Sequence, residues 1–96
     1  MEWTPEKEKE DEENYRRELI GIIGAIRKDL RKAESDLAKL EEILSGFEAE
    51  INENKISPEE GREFKKRFEV IRDDLEESIK GYKELIAEVE ERLHNS

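Results

Sequence analysis

Ten apolar residues follow one another along the first half of the chain at alternating steps of four and three. They are Leu19, Ile23, Ile26, Leu30, Ala33, Leu37, Leu40, Leu44, Phe47 and Ile51. Apolar residues at this heptad spacing form one continuous stripe on a helix, and a stripe of this length packs along a second helix. The sequence therefore predicts a long first helix with a helical partner lying against it from end to end.

A second apolar stripe runs through the last third of the chain. Its members are Phe64, Phe68, Ile71, Leu75, Ile79, Tyr82, Ile86, Val89 and Leu93. Two consecutive steps of four on either side of Leu75 make an eleven-residue unit from Phe68 to Ile79. Such a unit locally relaxes a left-handed supercoil. Val70 and Leu85 widen this second stripe, which predicts a second long helix.

Turn-forming residues separate the two stripes. The segment Asn52–Lys55 is polar and favours a helix end, and Ser57, Pro58 and Glu60 follow it. Serine at the cap, proline at the first helical position and glutamate three residues after the serine form a capping box. The predicted boundaries are helix 1 at about 15–53, a turn at 54–57 and helix 2 at about 58–94.

A connection this short makes the two helices antiparallel neighbours. A fold at Lys55 brings Leu93 beside Leu19, and it also brings the acids of residues 41–50 beside the bases of residues 62–67. Residues 1–14 then overhang the hairpin 15–96 as a charged N-terminal arm. Because this arm is polar on every face, we expect it to be weakly helical or frayed.

The composition fits a long helical protein. Charged residues make up 48% of the chain and hydrophobic residues 33%, and there is no cysteine for a disulfide or a thiolate metal site. Abundant Glu, Lys and Arg, with no Gln, indicate a thermophilic source. No apolar run approaches the ~20 residues that cross a bilayer. The charged first residues do not resemble a signal peptide, so we expect a soluble, cytoplasmic protein.

A lone hairpin leaves one side of each stripe uncovered. Apolar residues beside the first stripe, with Val70 and Leu85 beside the second, predict a second contact surface. Self-association about a two-fold axis would cover it, and the alternative is that a different protein completes the hairpin. The expected fold is therefore an all-α, antiparallel two-helix hairpin of the coiled-coil type, completed to a four-helix bundle by dimerisation. The residues expected to mediate self-association in a homodimer or higher homo-oligomer are Ile20, Ile22, Ile23, Ile26 and Ile43.

The sequence offers one weak candidate for a metal site. Glu91 and His94 have the Glu-x-x-His spacing of di-iron bundles. However, Glu91 lies about 200° around the helix from the inward residue Val89, and no glutamate interrupts the first stripe to complete such a site. No serine has a His or Lys partner at a spacing that suggests a nucleophile and its base. We therefore expect no catalytic residues, no cofactor and no enzymatic activity.

These observations favour a non-enzymatic structural protein, an oligomeric helical-hairpin scaffold or adaptor that binds a partner protein. Trp3 and Tyr15 are the candidate partner-binding residues, because aromatic side chains are enriched at binding hot spots. A net charge of −10 disfavours direct binding to nucleic acid. It leaves open an alternative, an acidic inhibitor that imitates nucleic acid, and a second alternative is a ferritin-like metal-binding bundle.

Overall fold

The protein is a helical hairpin. The computed structural model describes residues 5–95, which form two helices, α1 (Pro5–Asn52) and α2 (Pro58–Asn95). The molecule is an extended rod with dimensions of 78 × 21 × 15 Å. The predicted all-helical class and the hairpin arrangement are confirmed, and the described residues contain no strand.

The inner surface of α1 is the predicted heptad stripe. All ten of its residues are buried or half-buried, and the most enclosed are Leu19, Ile23 and Leu40, each 6% exposed. Helical residues between them are exposed. Burial of apolar area contributes about 25 cal/mol per Å², so this stripe is the main source of hairpin stability.

The inner surface of α2 differs from the prediction at two places. Phe64 is 42% exposed beside the turn, outside the regular inner series. Ile71 is 48% exposed, and Arg72 takes the half-buried position beside α1. The inner residues of α2 therefore keep a regular alternation of four and three, and the expected eleven-residue unit is absent. They are Phe68, Arg72, Leu75, Ile79, Tyr82, Ile86, Val89 and Leu93. An arginine can hold this position because its aliphatic stem covers apolar surface while the guanidinium reaches solvent.

The turn ends α1 in a Schellman motif. The backbone N–H of Lys55 donates to the carbonyl oxygen of Glu50 (3.0 Å), and the N–H of Asn54 donates to that of Ile51 (3.1 Å). Asn54 has a φ of 61°, the left-handed conformation that this motif requires and that asparagine tolerates. These bonds satisfy carbonyl groups that the end of the helix would otherwise leave unpaired.

Ser57 caps the start of α2. Its hydroxyl oxygen accepts a hydrogen bond from the backbone N–H of Glu60 at 3.2 Å, and its carbonyl oxygen accepts one from the N–H of Gly61 at 2.9 Å. Pro58 is the first helical residue, where its missing N–H costs nothing. Three residues that the sequence assigned to a cap therefore lie at the start of this helix.

Close packing at the turn depends on Gly61. This residue is buried, and a Cβ atom added to it would lie 2.7 Å from Cγ1 of Ile51 and closer still to its Cδ1. Next to this contact, Phe47 stacks on Phe64 with ring centroids 5.2 Å apart, and it meets Phe68 at 5.4 Å. The two helices therefore pack closely against each other beside the turn.

The first turns of α1 project beyond α2. Residues 6–18 are all exposed, and burial begins at Leu19, the level at which α2 ends. The segment predicted to be weakly helical or frayed is continuous with α1 from Pro5 onward. This overhang of about 14 residues is about 21 Å long at 1.5 Å per residue.

The contact between Gly61 and Ile51 predicts a stability difference between two glycine variants. Gly61→Ala should destabilise the protein by roughly 1–3 kcal/mol, because its methyl group forces Ile51 to move. The matched control is Gly46→Ala, where a Cβ meets nothing within 4 Å and helix propensity improves by up to about 1 kcal/mol. Thermal unfolding followed by circular dichroism should give a lower midpoint for the first variant and a higher one for the second. Equal midpoints would contradict the packing described at the turn.

The cap at Ser57 predicts a second difference. Ser57→Ala removes the acceptor for the Glu60 N–H and should lower the free energy of unfolding by about 1 kcal/mol. Ser57→Asp retains an acceptor and should keep most of the stability. Urea unfolding of the two variants measures the difference, and an alanine variant as stable as the original chain would show that the cap contributes nothing.

Candidate interaction surface

One flank of the hairpin carries most of the exposed large apolar side chains. Among the residues whose burial the structure describes, eight such side chains are exposed, and six of them share one heptad position. Each of the six directly precedes an inner residue, or the position where the heptad series would place one. Within each helix they are seven residues apart or a multiple of seven. We call the surface that they define the apolar flank; its residues are Tyr15, Ile22 and Ile43 of α1 and Phe64, Ile71 and Leu85 of α2.

A polar groove at mid-length shows that the rows from the two helices share one side. Asp29 and Asp36 continue the row of α1, and Ser78 continues the row of α2, again at intervals of seven. These three residues line a single open groove together with Lys32 and Tyr82. Since the groove joins both rows, the apolar side chains above and below it also face the same direction.

The apolar flank therefore has three parts along the rod. The open-end patch consists of Tyr15 and Ile22 of α1, which are 46–47% exposed, while Leu85 of α2, also 47% exposed, lies beside Asp29. The turn-end patch consists of Ile43, Phe64 and Ile71, which are 42–48% exposed. The polar stretch between them, which we call the waist, consists of Asp29, Lys32, Asp36 and Ser78.

The opposite flank is charged. It consists of residues that directly follow inner residues, and a groove on it is lined by Arg27, Arg31 and Lys83 around Leu30 and Ile86. Arg27 forms an ion pair with Glu90 at 2.6 Å, with both side chains about half exposed. Exposed pairs of this kind contribute about 0–1 kcal/mol, so they orient the two helices more than they stabilise them.

Another ion pair crosses the hairpin near the turn. Nζ of Lys65 lies 3.5 Å from Oε1 of Glu48. This contact belongs to the expected matching of acids in 41–50 with bases in 62–67. It fixes the same antiparallel register as the pair between Arg27 and Glu90 near the open end.

The five residues expected to mediate self-association fall in three different places. Ile22 and Ile43 lie on the apolar flank. Ile23 is 6% exposed and Ile26 is half-buried, so both belong to the contact between α1 and α2. Ile20 is 57% exposed but lies on the charged flank, about 200° around the helix from Ile22.

Sequence reasoning misplaced two members of the apolar flank, and it put a third beside the stripe without assigning it to self-association. Phe64 and Ile71 were counted among inner residues, and Leu85 was treated as a widening of the second stripe. The heptad phase contains a signal that identifies all three. When it is counted backward from Leu93, it places Arg72 inside, and the three apolar residues fall into one row with Ser78.

The remaining candidates lie near the open end of the rod. Tyr15 is on the apolar flank, whereas Trp3 lies outside the described residues. Glu91 and His94 are both exposed in the last turns of α2. Within residues 5–95, no group of three or more His, Cys, Asp or Glu side chains is arranged to hold a metal ion.

Comparison with protein-family models, with curated proteins and with solved structures found no match to this chain. Over residues 5–95, neither helix combines the length and the apolar character that crossing a membrane requires. The properties of the two flanks are therefore the basis for inferring a function.

Proposed function

We propose that the protein is a non-enzymatic scaffold in which two hairpins associate through their apolar flanks to form a four-helix bundle. The observation that carries this proposal is the confinement of six exposed large apolar side chains to one side of the rod. Scattered apolar residues are ordinary on protein surfaces, but large apolar side chains gathered on one face mark an interaction site.

The amount of exposed surface supports the same proposal. A compact protein of 11.4 kDa is expected to expose roughly 5,800 Å², whereas this hairpin exposes 7972 Å². Within the described residues, only four apolar side chains are buried, Leu19, Ile23, Ala33 and Leu40. Pairing of two apolar flanks would enclose the half-buried inner residues from the side and supply the core that a single hairpin lacks.

Self-association leaves the overhanging start of α1 free to meet another protein. We propose that this arm, which has Tyr15 at its base and which Trp3 precedes in the sequence, is the part of the scaffold that holds a partner. Residues 6–18 are exposed all around the helix, so the arm offers a rod-shaped surface outside the bundle. In this function the protein positions a partner and carries out no reaction.

An acidic inhibitor that imitates nucleic acid is a second candidate, and the arm favours it. Residues 6–13 contain six carboxylates and two lysines along an exposed helix. The net charge of −4 over about 11 Å amounts to one per ~2.7 Å, compared with one per ~1.7 Å in duplex DNA. The two functions differ in salt dependence, since binding of a basic protein to a charge mimic should weaken steeply as ionic strength rises.

The scaffold proposal predicts a matched pair of outcomes for Ile22 and Ile20. Ile22→Glu places a charge on the apolar flank and should convert dimers to monomers, because a buried unpaired carboxylate is strongly unfavourable. Ile20→Glu introduces the same charge two residues away on the charged flank and should leave the dimer intact. Light scattering coupled to size exclusion at micromolar concentration measures the mass of each.

Two results would contradict the scaffold proposal. The first is a monomeric mass for the unmodified chain with its helices intact by circular dichroism. The second is an identical response of the two variants, since the apolar flank would then have no special role.

A further inference from the structure

A band of positive charge crosses the acidic rod near its middle. Residues 27–34 of α1 and 80–87 of α2 together contain six bases and three acids, whereas the whole chain has a net charge of −10. The two segments lie at the same level, since Arg31 and Lys83 line one groove on the charged flank. The band is therefore a local exception to the charge of the protein, and both helices contribute to it.

The groove on the charged flank, which we call the basic groove, has an apolar floor and cationic walls. Its floor is formed by Leu30 and Ile86, two inner residues that are not fully buried. Around this floor lie the side chains of Arg27, Arg31 and Lys83, and no carboxylate of the described residues lines the groove. An occupant that is complementary to this surface carries apolar side chains next to negative charges.

Two of the three cations have no carboxylate partner in the hairpin. Arg27 forms its ion pair with Glu90. Within residues 5–95, neither Arg31 nor Lys83 forms an ion pair, although the chain contains 28 acidic residues. These two charges are exposed and are therefore available to carboxylates from outside the hairpin.

One end of the basic groove is formed by a glycine. A Cβ atom added to Gly24 would meet nothing within 4 Å, so the packing of α1 on α2 does not require glycine here. Glycine inside a helix costs up to about 1 kcal/mol relative to alanine. The missing side chain leaves the backbone of α1 open to close approach by another chain.

We propose that the basic groove binds an acidic amphipathic helix of a partner protein. A third helix fits the groove between two neighbouring helices, with its axis about 8–10 Å from each. Its apolar residues at i, i+3 and i+4 spacing cover Leu30 and Ile86, and carboxylates beside them pair with Arg31 and Lys83. The basic groove lies on the opposite flank from the surface proposed for self-association, so both surfaces can be occupied at once.

Two other acidic occupants match the basic groove less well. The arm of a second copy has no apolar residue between Glu6 and Asn14 to cover the floor. Nucleic acid would bring phosphates to the cations, but the acidic remainder of the rod repels it. The residues that line the groove also include no aromatic side chain on which a base could stack.

A fluorescent peptide tests this proposal. The probe is about 18 residues long, with leucines along one helical face, glutamates beside them and alanine elsewhere to maintain the helix. Fluorescence anisotropy with the full-length protein at about 0.1 M salt should show saturable binding that weakens as salt is added. The control peptide has the same composition but spreads its leucines around the helix, and equal affinity for the two peptides would overturn the proposal.

Lys83→Glu and Lys39→Glu form a matched pair of variants. Both change the net charge equally, and Lys39 is an exposed residue of α1 outside the basic groove. Lys83→Glu should weaken binding of the peptide by roughly tenfold or more, because like charges then meet in the groove. Lys39→Glu should weaken it by less than about threefold, since salt screens a charge more than ~10 Å away. An equal loss in both variants would contradict binding in the groove.

Filling the basic groove gives an independent test. Gly24→Leu places a side chain in it and should abolish binding of the peptide while circular dichroism shows intact helices. Gly46→Leu, at a second glycine with open space around it, should bind normally. Binding retained by Gly24→Leu would overturn the proposal, and so would tighter binding of a duplex DNA oligonucleotide than of the peptide. None of these results depends on self-association, which light scattering measures separately.

Discussion

The contact between α1 and α2 along one heptad stripe is the constraint on which the rest of the structure depends. Each helix keeps the same alternation of four and three, so the two remain in phase over the whole rod. Phe47 and Phe64 pack near the turn, and Arg27 and Glu90 pair far from it, in one antiparallel register. The same phase assigns every other residue to a flank, because positions before and after an inner residue face opposite sides of the hairpin.

The phase also explains which parts of the fold the sequence predicts and which it does not. In α1 the inner residues are all apolar, so hydrophobicity and phase agree, and the stripe is read correctly. In α2 they disagree at one turn, where Ile71 is the more apolar residue and Arg72 has the right phase. Local hydrophobicity favours isoleucine, but the structure follows the phase, since six inner residues of α2 from Leu75 to Leu93, and Phe68 before them, cannot shift to accommodate one.

The candidate surface was harder to predict than the fold for the same reason. Ile20 and Ile22 are equivalent in composition and two residues apart, yet they lie on opposite flanks. Their different surroundings become visible only when α2 is placed beside α1, because the charged flank and the apolar flank are each built from both helices. The turn contains both kinds of signal. Ser57, Pro58 and Glu60 can be recognised as a cap from the local sequence. The need for glycine at position 61 cannot, because it arises from contact with Ile51 across the turn.

The contrast between the flanks bears on how far association would proceed. If two copies pair through their apolar flanks, each presents its charged flank to solvent, with Arg27, Arg31, Lys83 and Glu90 around its groove. Adding further copies would bury these groups, and removing charges from water is unfavourable unless each finds a partner. Ile20 alone does not make that flank apolar. A rod with one apolar side and one charged side would therefore form a closed pair rather than an open stack, and the acidic overhang of α1 would remain outside that pair.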